Sequence, residues 1–104
     1  MTRVYAERSG NRCILSAKGH ATGSVEVCAA ISAIVYALAG YLMNHDIKIS
    51  EQRMEEADVL LDFSGDACAA AAFEMAVIGL AQIGQQYPEF LQVGFEEKAS
   101  PSLV

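Results

Sequence analysis

Two long, alanine-rich apolar stretches, Ser24 to about Asn44 and Ala67 to about Gln86, constrain this chain more than any other feature. In the first, Val27, Ile31, Ile34, Val35, Leu38 and Leu42 recur at close to helical spacing. Thr22 or Ser24 can cap its start, Glu26 suits the positive end of the helix dipole, and Asn44 is a stop signal. The second stretch has Asp66 as its cap and Pro88 beyond its end. The longest apolar stretch, Val27 to Met43, is about 17 residues and lies at the lower edge for a membrane span. Ser32, Gly40 and two tyrosines within that run read better as a helix covered by a sheet. Ahead of each helix stand alternating runs. Thr2 to Ser9 and Cys13 to Ala17 flank the turn signal Gly10-Asn11. Ile47 and Ile49 make a short strand, Ala57 to Phe63 a half-buried one, and Leu91, Val93 and Phe95 a last one. The order ββαββαβ predicts an α+β, two-layer fold, with two helices on one face of a mixed sheet. Residues 1–97 form the single domain of this reading, and 98–104 a flexible C-terminal tail.

Bulk properties narrow the partners. With 104 residues, 53% hydrophobic and 19% charged, the chain is long enough and apolar enough for one core. A net charge of −6 argues against a direct nucleic-acid partner and agrees with a basic protein substrate. The opening MTRVYAERSG lacks the apolar run of a secretion signal, and three cysteines are an odd count. Reduced thiols in the cytoplasm are therefore expected, with no membrane partner. No Cys-x-x-Cys or His-x-x-x-His spacing is present, so no metal and no cofactor is expected.

The chemistry concentrates in GHATGSVEVCAA, Gly19 to Ala30. His20 ends a strand and Cys28 opens a helix, with seven residues between them. A helix start stabilises a thiolate, and a histidine in reach can take the thiol proton. The open amides of the first turn offer a place for an oxyanion. Ser32 lies one turn beyond Cys28 on the same helix face, while Gly19 and Gly23 give the loop freedom to move. Free cysteine is also among the most buried residue types, so core packing is the competing reading of the pair. Cys13 and Cys68 read as core residues, and His45, at a helix C-terminus, as structural. Glu51, Glu55, Glu56 and Asp58 read as a solvated turn.

These residues resemble the ribosomal-processing cysteine proteases, Prp. The likeness rests on Gly19-His20-Ala21, a glycine-containing loop, then Val27-Cys28-Ala29-Ala30-Ile31-Ser32-Ala33. The closing GLAQIGQQYPEFLQV also looks like that family's last helix and strand. The resemblance implies a homodimeric cysteine endopeptidase with Cys28 as nucleophile and His20 as base. Gly19, Gly23 and Ser32 would then adjoin the substrate. It also implies removal of a short apolar N-terminal extension, cut after an aromatic residue. The partner is the N-terminus of a large-subunit ribosomal protein or, for phage-type members, of a capsid or scaffold protein. Two departures fall beside the substrate: the His20–Cys28 loop is shorter than in the ribosomal enzymes, and their acidic residue three before the cysteine is Val25 here. A non-catalytic dimeric assembly partner of the same fold and a thiol redox sensor are the competing functions.

Overall fold

A computed structural model describes residues 1–21 and 23–98. Its elements are β1 (Thr2–Ser9), β2 (Arg12–Lys18), α1 (Val25–Asn44), β3 (Lys48–Glu55), β4 (Asp58–Ser64), α2 (Ala67–Gln86) and β5 (Leu91–Lys98). The five strands form one sheet in the order β3-β4-β2-β1-β5. Only β1 and β5 pair in parallel, and the other three pairings are antiparallel. Each helix is therefore a crossover between parallel strands: α1 joins β2 to β3 across β4, and α2 joins β4 to β5 across β2 and β1. This is the expected two-layer α+β architecture.

Alternation along the strands sets the two faces. Val4 pairs with Ala17, Ala6 with Leu15, and Cys13 with Phe63, all buried. They meet Val27, Ile31, Val35, Leu38 and Leu42 of α1, and Phe73, Val77 and Leu80 of α2, in one core. Phe63 and Phe73 touch edge to face, with ring centroids 6.0 Å apart. By length and composition both helices could cross a membrane. Here each buries one stripe against the sheet. The opposite sheet face carries polar pairs instead. Arg12 grips Asp62 through two hydrogen bonds of 2.7 and 3.0 Å, and Arg53 does the same to Asp58 at 3.0 and 3.2 Å.

Both helix starts are capped by the expected chemistry. Ser24 Oγ accepts from the Val27 amide at 3.2 Å, and Asp66 Oδ1 from the Ala69 amide at 2.9 Å. Thr22, the other candidate cap, lies outside the described residues. His45 is the C-cap of α1, its ring stacked on Tyr41 at 4.0 Å.

Three expectations are corrected. Cys68 is exposed at the second position of α2, so only Cys13 behaves as a core thiol. Strand β3 runs through Glu55, and its register slips between Ile49 and Glu51. That bulge interrupts the period of two and makes the strand look short in sequence. Glu51 and Glu55 consequently belong to β3, and Asp58 to β4, leaving only Glu56 of that group in the turn. Strand β5 also includes Lys98, one residue into the expected tail, whose remainder, 99–104, lies outside the described residues.

Candidate active site

Three chain segments meet at one cleft of about 270 Å³: the end of β2, the first turns of α1, and the β3–β4 turn. The β2 end supplies Gly19 and His20, and α1 supplies Cys28, Ser32 and Tyr36. The β3–β4 turn and the strand ends that flank it supply Glu55, Glu56 and Asp58. Gly19 ties these segments together. Its N–H donates to the Ala57 carbonyl at 2.9 Å, and its own carbonyl accepts from Thr2 Oγ1 at 3.1 Å. Its φ of +91° suits glycine, and an added Cβ would run into the Met1 carbonyl. Gly19 is thus a pinned joint, where the sequence suggests a hinge. Gly23, at φ +95°, adjoins His20 and Cys28 in a second, shallower depression.

Both side chains of the candidate dyad reach solvent at this cleft: Cys28 and His20 are exposed, and both line it. Helix geometry explains the thiol's orientation. Val27, the residue before it, is buried, and one further residue turns the next side chain about 100° away from the core. Cys28 is the fourth residue of α1, and its amide donates to the Ser24 carbonyl at 3.2 Å. The Val27 amide is held by Ser24 Oγ. The amides the helix leaves open are therefore those of Val25 and Glu26, one turn before the thiol. Val25 projects with 81% exposure beside that position. Ser32 follows Cys28 by one turn on the cleft side, as its spacing predicts.

The acidic wall was not legible as part of the site. Reading Glu51 to Asp58 as a solvated turn hides that β4 pairs with β2, which sets the turn across from α1. The left-handed Ala57, at φ +58°, and its bond to Gly19 fix the turn there. Among the described residues, no lysine or arginine lines the cleft, and no group of three or more His, Cys, Asp or Glu side chains could hold a metal ion.

Comparison with known proteins fits this arrangement. The model of the cysteine protease Prp family matches residues 1–92. The chain belongs to the Prp family. Solved Prp structures share its fold. The Staphylococcus aureus ribosomal processing protease Prp with a covalently linked product peptide superposes at a TM-score of 0.79. Its sequence is 14% identical, covering 91% of this chain and 99% of that one. The same protease with a substrate peptide gives 0.72 at 16% identity, covering 91% and 99%. SMU.848 of Streptococcus mutans gives 0.74 at 20% identity, covering 94% and 96%. Curated protein sequences give no match. Family membership supports a cysteine protease role for this Prp-family chain.

Proposed function

We propose that this chain is a cysteine endopeptidase in which Cys28 is the nucleophile and His20 the base. The observation that carries the reading is an exposed thiol in the first turns of a helix, sharing a cleft with an exposed imidazole, in a Prp-family chain. Cys28 Sγ attacks the scissile carbonyl carbon as His20 takes the thiol proton. The carbon–nitrogen bond breaks, and His20 returns the proton to the leaving amine. Water activated by His20 then hydrolyses the thioester and frees Cys28. The substrate is the N-terminal extension of a ribosomal or phage capsid or scaffold protein, bound extended. Peptides bound to the S. aureus relative support a peptide as the occupant.

The enzyme acts as a homodimer in this proposal. Each helix carries a single charged residue, Glu26 or Glu74. Met43, Met75 and Ile78 are at least half exposed, and a groove of about 360 Å³ runs between the helices. Two helices about 30 Å long and about 10 Å apart offer roughly 600 Å² of surface, near what one partner of a standard interface buries. Sedimentation at micromolar concentration should give twice the chain mass, and a clean monomer would remove this part.

Cleavage is tested with fluorogenic peptides carrying ribosomal-type and capsid-type sites. Cys28→Ala and His20→Ala should each lower the rate by at least ~10³-fold, because the two groups act as a unit. Cys68→Ser should leave it unchanged. Cleavage that persists in Cys28→Ala sinks the mechanism, and a folded wild type that cuts no peptide favours the assembly-partner reading.

A further inference from the structure

We propose that Tyr36 and the Glu55–Glu56 segment form a second recognition point in the cleft, for a cationic side chain of the bound peptide, three or four residues along from the position at Cys28. This rests on reading the cleft as a peptide-binding site. Cys28, Ser32 and Tyr36 stand at i, i+4 and i+8 of α1, and all three line the cleft. Eight residues at 1.5 Å each put Tyr36 about 12 Å along the helix from Cys28. An extended peptide covers that distance in three to four residues.

The chemistry at that position is specific. Tyr36 is 62% exposed, and its hydroxyl has no hydrogen-bond partner among the described residues. The opposite wall is lined by Glu55, Glu56 and Asp58; Asp58 is taken by Arg53, and Glu55 is its cross-strand neighbour at the rim of the cleft. Neither Glu55 nor Glu56 makes an ion pair within 4.0 Å or a side-chain hydrogen bond among the described residues; Glu55 still feels the charge of Arg53, and Glu56 is the freer of the two. Val35 and Val59 supply apolar surface between these walls. A lysine or arginine fits all of these features: its stem lies on the valines and the ring, and its charge meets the aromatic face and the carboxylates. An acidic side chain would meet repulsion, and an apolar one would gain nothing from the exposed carboxylates.

The test uses disulfide exchange at Cys28, in a Cys68→Ser background that removes the other exposed thiol. Cys28 thiolate attacks one sulfur of a symmetrical dialkyl disulfide, forming a mixed disulfide and releasing one alkyl thiol. Three such reagents share a spacer reaching about 12 Å and end in an ammonium, a methyl or a carboxylate group. Intact-mass measurement at equilibrium reads retention. The ammonium reagent should be retained about fivefold more than the methyl one, and the carboxylate reagent least. The Glu55→Gln/Glu56→Gln pair and Tyr36→Ala should each reduce that preference, while Tyr36→Phe keeps it. All three side chains are exposed, so the variants keep the fold. Equal retention of the three reagents, a preference that survives both the double variant and Tyr36→Ala, or failure of Cys28 to exchange would each overturn the proposal. Exchange needs only an accessible thiol. A cationic preference without peptide cleavage therefore sinks the endopeptidase reading and keeps this one, and cleavage without the preference does the reverse.

Discussion

Replacing Gly19 by alanine separates backbone strain from steric overlap, because Gly10 provides a matched control. Both glycines have positive φ, +91° at Gly19 and +61° at Gly10. A Cβ at Gly10 meets nothing within 4 Å, whereas at Gly19 it meets the Met1 carbonyl. Gly10→Ala should therefore show the left-handed penalty alone, about 1 kcal/mol. Gly19→Ala carries the same penalty and must also displace backbone. Moving Met1 or the β2 end strains the Thr2–Gly19 and Gly19–Ala57 hydrogen bonds, at 3.1 and 2.9 Å. Losing both adds about 2 kcal/mol at about 1 kcal/mol each. Gly19→Ala should thus destabilise by about 3 kcal/mol, a large share of the 5–15 kcal/mol of a typical domain. Urea unfolding of the two variants with shared m-values reads the difference. A Gly19→Ala variant within about 0.5 kcal/mol of Gly10→Ala would refute the reasoning, since independent surface changes scatter by that much. His20 follows Gly19 directly, so cleavage should also fall in Gly19→Ala and persist in Gly10→Ala.

Other outcomes are equally specific. In native protein iodoacetamide should modify Cys28 and Cys68 but not Cys13, whose thiol burial pushes up; His20→Ala should slow Cys28 and leave Cys68 unchanged, by peptide mapping. On the open sheet face the Tyr5 hydroxyl lies 2.8 Å from a Glu7 carboxylate oxygen and 3.0 Å from one of Glu96, and its single proton is shared between these two acceptors. These bonds raise the Tyr5 phenol above its usual range, and the bonds from Tyr5 and then Lys98 lower Glu7. The raised phenol contributes stability that is present below its ordinary pKa of about 10 and lost as pH rises further, and the lowered carboxylate contributes stability lost as pH falls below about 4. Tyr5→Phe should therefore flatten the alkaline limb of a stability–pH profile, and an unchanged limb would count against the network.

The helices and their caps were legible because long apolar stretches with Ser24 and Asp66 at their starts leave few alternatives. The buried faces of β1 and β2 were legible as alternation, and so were Leu61 and Phe63 of β4, although Asp62 between them is buried as well, held by Arg12. Strand β3 was not. Its bulge resets the pattern, so that Ile49 and then Gln52 and Met54 face the core side. The same misreading removed Glu55 and Glu56 from the candidate site, since their position depends on which strand β4 pairs with, a long-range fact. Cys68 shows the limit of a local rule: apolar neighbours suggested a core thiol, but the second residue of α2 points outward.

Cys28 and Cys68 begin similar Ala-rich helices, yet only one of them lines the cleft with a histidine. The difference lies in what each helix start packs against. At α2, the Gly65 amide bonds to the Asn11 carbonyl, and a Cβ on Gly65 would crowd Ala69 and Ile47. That junction is closed. At α1, the chain arrives through Gly23, and the nearby strand end is held by Gly19 to the β3–β4 turn, which leaves open space between helix and turn. Along α1 each cleft residue then follows a buried one by a single position: Cys28 after Val27, Ser32 after Ile31, Tyr36 after Val35. The stripe that fastens α1 to the sheet therefore also fixes the direction of the stripe that meets the substrate. A rotation of α1 that moved Cys28 would have to unseat Val27, Ile31 and Val35 together, which are 2–7% exposed. At about 1.5–3 kcal/mol for each buried aliphatic side chain, that resistance keeps the cleft in place without help from a flexible loop.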